Sequence, residues 1–247
     1  MSVDIPKRAM VLAAGLGVRM RPLTDTTPKP MIEVAGRTML DRALDRLVEA
    51  GVQTAVVNTH WLPERIEDHL KARTDIAIEI SRENILLETG GGVVNALPLL
   101  GDDAFFVVNA DIVWRDGTIP ALERLARHWD DAAMDVLLLL TGAVRATGYD
   151  GPGDFLMDPL GGLKRRPERQ IAPFVFTGVQ IVHPRLFAGA PDGAFSMNVL
   201  YDRASEAGRL RGLAHDGEWY HVGTPDAIGV AEAEILEREG SRVRRLF

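Results

Sequence analysis

The chain has 247 residues, 46% of them hydrophobic, a formal net charge of −7 and no cysteine. That length supports one sizeable core or a core with a smaller subdomain, and the acidic balance makes a nucleic-acid backbone a poor partner. Disulfides and thiolate metal sites are excluded, and apolar stretches such as Val136 to Leu140 are far too short to span a bilayer; with no apolar signal-peptide core near the first residues, a cytoplasmic location is expected.

Met10 to Ala14 reads as a buried strand that stops at a sheet edge. Gly15 and Gly17 then allow close backbone approach to a ligand. Arg19, Arg21 and Lys29 place cations in one loop, which Pro22, Pro28 and Pro30 stiffen and keep out of a helix. A strand, a glycine turn and converging cations make a cradle for polyphosphate; a structural βα turn with scattered surface charge is the bland alternative. Gly17 is not followed by the lysine of a P-loop, and Met20 stands where a dinucleotide fingerprint needs its third glycine.

Thr38 to Ala50 has helical spacing, closed by Gly51. Gln53 to Asn58 reads as a strand, Leu62 to Lys71 as a helix with Pro63 in its first turn, and Ile76 to Ile80 as a strand. This βαβα rhythm implies a parallel sheet. Gly90-Gly91-Gly92 opens a helical run to about Leu97, as a flexible turn or as a backbone platform for a flat base or phosphate. Ala104 to Asn109 is a buried strand ending in Asn109-Ala110-Asp111. Its carboxylate either caps a following helix or suits Mg²⁺ shared with phosphate oxygens. Thr118 to Trp129 is amphipathic and Asp135 to Thr141 is an apolar strand. Gly142 to Pro173 is rich in Gly, Pro, Asp and Arg, with short strands near Phe155 to Met157 and Leu163-Lys164. Phe174 to Val182 is a strand interrupted at Thr177-Gly178. A helix over Ala194 to Ala207, a strand over Arg209 to Ala214 and a last helix from about Asp226 to Arg238, opened by Thr224-Pro225, complete the chain.

Leu12-Ala13-Ala14-Gly15, Gly17, Arg19-Met20, Pro22-Leu23-Thr24 and Pro28-Lys29-Pro30 together resemble the signature of the sugar-1-phosphate nucleotidyltransferases. The resemblance implies an α/β fold, a Rossmann-like mixed, mainly parallel sheet flanked by helices. It implies a single domain over 1–247, with a nucleotide-binding half at about 7–141 and a sugar-binding half at about 142–247, and no β-helix tail. An NTP and a sugar 1-phosphate become the expected substrates, and Mg²⁺ the expected cofactor. Carried over position by position, Ala13, Ala14, Gly15, Gly17 and Val18 cradle base and phosphates, and Arg19 holds the β/γ phosphates. Lys29 bridges the α-phosphate and the sugar phosphate. Thr89 and Gly90 lie beside the base, Asn109 reaches nucleotide or sugar, and Asp111 holds the metal. Gly153, Asp154, Glu168 and Thr177 are candidate sugar contacts, with ordinary loop and strand polarity as the alternative. Arg165, Arg166 and Arg169 form a solvated face or contact an anionic substrate group.

The resemblance breaks where the family's second metal carboxylate is expected, because His221 stands there, in Tyr220-His221-Val222-Gly223-Thr224. Imidazole is a poor Mg²⁺ ligand. His221 therefore ligates a softer ion such as Mn²⁺, touches phosphate while Asp111 holds Mg²⁺, or marks an impaired site. The other histidines, His60, His69, His128, His183 and His215, show no metal-ligand spacing and read as structural. The implied reaction is attack of the sugar-1-phosphate oxygen on the α-phosphorus, with pyrophosphate leaving. A phosphate with its second pKa near about 6 needs no general base. The segments L-E-T-G-G-G, G-D-F and F-T-G are most similar to the N-acetylmuramate-1-phosphate uridylyltransferases of peptidoglycan recycling, which implies UTP and a sugar whose lactyl carboxylate needs a cation. Mannose- or heptose-1-phosphate guanylyltransferases are the alternative. A retaining glycosyltransferase, and a non-catalytic relative that binds nucleotide-sugar, are readings of other classes.

Overall fold

The computed structural model describes residues 3–244, and side chains from 3 to 237. Strand β1 (Arg8–Leu12) leads through the signature loop into a small hairpin, β2 (Glu33–Val34) and β3 (Arg37–Thr38), and then α1 (Met39–Ala50). The Thr38 hydroxyl accepts the Asp41 N–H at 3.0 Å, and Gly51 ends the helix in the left-handed region at φ 87°. There follow β4 (Thr54–Thr59), α2 (Pro63–Leu70), β5 (Ala77–Arg82), α3 (Glu88–Leu100) and β6 (Phe105–Asn109). Strands β6, β1, β4 and β5 lie side by side and parallel, as the alternating pattern implies.

The second half departs from that pattern. It comprises β7 (Val113–Arg115), α4 (Ala121–His128), β8 (Val136–Gly142), β9 (Ala146–Thr147), β10 (Phe155–Met157), β11 (Leu163–Arg165) and β12 (Phe174–Val182), then α5 (Asn198–Glu206), β13 (Leu210–Ala214), β14 (Glu218–Tyr220) and α6 (Pro225–Arg244). Strand β12 runs antiparallel to β6, β8 and β10, while β13 is parallel to β8. The sheet is mixed, and its parallel run belongs to the first half. Its register shifts between Phe176 and Gln180, so Thr177-Gly178 makes a bulge. No helix follows Asp111; β7 does, pairing with β14. Helix α3 runs through Pro98 to Leu100, beyond the expected end near Leu97. Helix α5 starts later than expected, and α6 extends beyond Arg238.

Both faces of the sheet are covered. Ala9 and Val11 face Leu40, Leu44 and Leu47 of α1 and Leu122 of α4. Met10, one residue out of phase, faces the side of Val93 in α3 and Leu200 in α5. A third cluster joins Met20 of the signature loop to Tyr220, Val222, Ala231 and Ile235, so α6 backs the loop. Ala35 N–H also donates to Glu232 Oε1 at 2.8 Å.

The glycine triplet is a packing device. A Cβ on Gly90 would lie 2.3 Å from Phe195 Cε2, one on Gly91 2.3 Å from the Gly193 carbonyl oxygen, and one on Gly92 2.8 Å from Glu83 Oε1. The open platform expected at Gly90 is thus filled by this chain's own 193–195 segment. Since a backbone oxygen cannot swing aside, Gly91→Ala should destabilise by about 1–3 kcal/mol, read as a Tm lower by several degrees in thermal unfolding.

Candidate active site

Strands β1, β4 and β6 end in register, with Leu12 beside both Asn58 and Asn109. Open α/β sheets bind ligands beyond such strand ends. A cavity of about 520 Å³ opens there, lined by Ala13, Ala14, Gly15, Gly17, Val18 and Thr89 among others. A second cavity of about 200 Å³ holds Asp154, Thr177 and His221. Arg19, Lys29, Asn109 and Asp111 line both. Most of the sequence-selected residues therefore converge on one cleft.

Local chemistry explains the convergence. Gly17 takes φ 61°, and a Cβ on it would meet Thr24 Cγ2 at 2.8 Å and Lys29 Cβ at 3.0 Å. Only glycine lets the loop close on itself here. Thr24 Oγ1 donates to the Gly17 carbonyl at 2.8 Å, and Trp61 Nε1 donates to the Thr24 carbonyl at 2.9 Å. The folded loop delivers the Lys29 ammonium to Asp111, Nζ to Oδ2 2.7 Å. Lys29 is only 9% exposed. The carboxylate gives this largely buried ammonium a partner, without which its burial would be costly. Arg19 stands exposed at the rim.

Two residues outside the sequence-selected set hold the cleft floor. Asn58 Oδ1 accepts the Ala13 N–H at 2.6 Å, and its Nδ2 donates to Glu83 Oε1 at 2.6 Å. Glu83, buried at 5% exposure, accepts the Leu87 N–H through Oε2 at 2.9 Å. This relay ties the end of β1 to the start of α3. A polar Asn closing the buried run Ala55-Val56-Val57 was the available signal. Thr89 Oγ1, at the cleft wall, accepts the Met197 N–H at 3.0 Å.

On the far side the candidates separate. Asp154 Oδ2 accepts the Phe176 N–H at 2.9 Å, and burial pushes its carboxyl above the usual range against the pull of Arg166, Arg165 and His221. Gly153 takes φ 76° to pass the Ala172 carbonyl and lines an adjoining cavity. The Thr177 hydroxyl is fully buried and donates to the Leu139 carbonyl at 2.8 Å. Its proton is therefore committed inside the protein, unlike the expected sugar contact. Glu168 is exposed in the loop before β12 and lines none of these three cavities. Gly178 brings its backbone close to Asn109, whose Nδ2 a Cβ would meet at 3.0 Å.

His221 lies against Tyr149 and Trp219, with ring centroids 5.8 and 5.7 Å away. A Cβ on Gly223 would meet its Nε2 at 2.4 Å. Burial first, then the facing Arg19 and Lys29 cations, hold its pKa below the usual value, against the pull of Asp111 and Asp150. The imidazole is thus neutral at pH 7. Among the described residues no group of three or more His, Cys, Asp or Glu side chains is arranged to hold a metal. The donor that does face the cleft, Asp111, is a hard carboxylate with a 38% exposed side chain. It fits a Mg²⁺ ion that takes one or two protein carboxylates and fills its shell with phosphate oxygens and water.

A family model described as Nucleotidyl transferase matches residues 8–150. The chain is 45% identical over 237 residues to an N-acetylmuramate alpha-1-phosphate uridylyltransferase of Caulobacter vibrioides, covering 94% of this chain and 98% of that one. It is 35% identical to the Neisseria meningitidis serogroup B enzyme of the same name, over 92% and 97% of the two chains. A crystal structure of UDP-glucose pyrophosphorylase complexed with UDP-glucose superposes with a TM-score of 0.74 at 16% identity, over 94% and 99%, a likeness of fold. Among the described residues no helix is long and apolar enough to cross a membrane.

Asp154 generates a pH prediction. Its folded pKa lies above the unfolded value, so its contribution to stability is lost as pH rises through the carboxylate range. Asp154→Asn keeps an oxygen for the Phe176 N–H and removes the charge. Its Tm should exceed that of the wild type at pH 7, with the gain vanishing below about pH 4, as read by calorimetry across pH.

Proposed function

The chain belongs to the sugar-1-phosphate nucleotidyltransferase family, and from that premise we propose that it transfers the uridylyl group of UTP to N-acetylmuramate 1-phosphate, releasing pyrophosphate. The observation that carries the choice of UTP and this sugar is the end-to-end likeness, at 45% identity, to a relative of that name. We also propose a cytoplasmic location, where nucleoside triphosphates are available.

The sugar-phosphate oxygen forms the new bond to the α-phosphorus of the NTP, and the bond to pyrophosphate breaks. The attacking phosphate is already anionic at neutral pH, its second pKa being about 6, so the site must supply positioning and charge neutralisation. In this reading the backbone from Ala13 to Val18, with Thr89, frames the nucleotide. Gly90 serves by packing the wall that carries Thr89. Arg19 meets the β/γ phosphates and steadies the leaving pyrophosphate. Lys29 lies between the α-phosphate and the incoming sugar phosphate, where its charge offsets the repulsion of two anions. It is available because its ligand-free partner, Asp111 at 2.7 Å, is a carboxylate that exchanges one cation for another. A divalent ion on Asp111 would supply Lewis-acid neutralisation of phosphate charge. Asn109 and Asp154 face the sugar, and neutral His221 offers a nitrogen to a softer ion or to a phosphate hydroxyl.

Pyrophosphate release measured with four NTPs against N-acetylmuramate, N-acetylglucosamine, mannose and heptose 1-phosphates, with Mg²⁺ and Mn²⁺ in parallel, tests this. Release is expected to be fastest with UTP and the muramate phosphate. A preference for GTP with mannose or heptose phosphate would move the substrate and keep the chemistry. Lys29→Ala and Arg19→Ala should each lower kcat by about 10²–10³-fold. Turnover within tenfold of wild type would remove those roles.

A further inference from the structure

A third cavity, of about 280 Å³, adjoins the cleft and is lined by Gly153, Asp154, Arg165, Arg166, Phe176 and Asn198 among others. Asp154 and Phe176 line both this cavity and the one that holds Lys29, Asp111 and His221. The two spaces therefore meet at these side chains. A sugar bound with its anomeric phosphate at Lys29 and its ring toward Asp154 would direct substituents remote from the phosphate toward the third cavity.

That cavity is cationic. Arg166 is fixed by the backbone: its Nε donates to the Gly153 carbonyl at 3.0 Å, and Nη1 donates to the carbonyls of Pro167 at 3.2 Å and Gln170 at 2.9 Å. Its Nη2 makes no hydrogen bond among the described residues. Arg165, next in the chain, pairs through Nε with Asp202 Oδ1 at 3.0 Å, and both side chains are 36% exposed or more. An exposed pair of this kind is weak and exchangeable. Asp154 is the acid of the cavity. One of its oxygens is engaged by Phe176 N–H, which leaves the other for a sugar hydroxyl or amide N–H.

Neutral hydroxyls do not call for two arginines lining one small cavity. A planar carboxylate does, because its two oxygens match the fork of N–H donors. We propose that Arg165 and Arg166 form a subsite for a carboxylate carried on the sugar ring, making the cavity the element that selects an anionic sugar 1-phosphate over its neutral counterpart. This inference rests on the sugar-1-phosphate reading above and names the chemical class of its sugar. It also assigns to a binding role two arginines whose spacing alone fits a solvated face.

The test is calorimetric binding of UDP-N-acetylmuramate and UDP-N-acetylglucosamine, which differ by the lactyl ether alone, to the wild type, Arg165→Gln and Arg166→Gln. The wild type should bind the carboxylated ligand more tightly. The ratio of the two affinities should fall about tenfold or more in each variant, the worth of one charge-assisted hydrogen bond. Arg166 also ties its own loop; if Arg166→Gln does not fold, the surface variant Arg165→Gln decides. No wild-type preference, or equal weakening of both ligands in the variants, overturns the subsite and leaves the uridylyl reading standing. Failure of the wild type to bind either UDP-sugar overturns both.

Discussion

An ammonium and a carboxylate meet at 2.7 Å on the floor of the cleft, Lys29 from the signature loop and Asp111 from beyond the end of β6. Lys29 has almost no access to water, so the two charges hold each other in place. Each must be delivered from a separate part of the chain. The loop reaches Asp111 only because Gly17 is left-handed and Thr24 folds back onto its carbonyl. It stays there because Met20 is locked against Tyr220, Val222 and the final helix. The last helix, none of whose described residues lines the cleft, is in this sense part of the site.

A pre-neutralised pair suits a site that takes up polyanions. Before ligands arrive neither charge is exposed to an apolar wall without a partner, and the large penalty of an isolated buried ion is avoided. In the proposed reaction the lysine would gain new anions as phosphates enter, and the carboxylate would be freed for a cation. The rearrangement costs little because it exchanges partners of like sign. The Asn58–Glu83 relay does different work. It satisfies the Ala13 N–H and the start of α3 at once, so the cradle is preformed.

What was legible in the sequence is what depends on local pattern. The alternating strands and helices of the first half, the turn at Gly17, the short strands at Phe155 and Leu163 and the strand from Phe174 to Val182 follow from periodicity and from Gly and Pro placement. The triple glycine was legible as a place of close approach but not as to what approaches. Phe195 and Gly193 are distant in sequence, and nothing local announces them. Thr177 looks like an available hydroxyl until the Leu139 carbonyl is seen beside it. Glu168 sits in a loop whose path is set by Arg166 bonding to the carbonyls around it. The antiparallel entry of β12 between β6 and β8 is likewise a matter of long-range pairing, which a βαβα rhythm cannot encode.

A chain of net charge −7 that draws in two phosphorylated substrates must do so by local arrangement. Several acidic residues away from the cleft are paired with arginines, as in Asp41 and Asp45 with Arg73 and Asp131 and Asp135 with Arg185. At the cleft Arg19 and Lys29 face Asp111, and His221, where the sequence resemblance leads one to expect a second carboxylate, is an imidazole whose pKa is held below the usual value. Replacing a carboxylate by that imidazole removes one negative charge from the mouth of a phosphate site. The repulsion of incoming phosphates falls, and so does the protein's own hold on a divalent ion. The two consequences are linked: a cation held by one carboxylate would draw more of its ligands from substrate oxygens, which would couple metal and nucleotide binding. His221 is then a redistribution of charge between protein and substrate, made possible by the bare Gly223 beneath its ring.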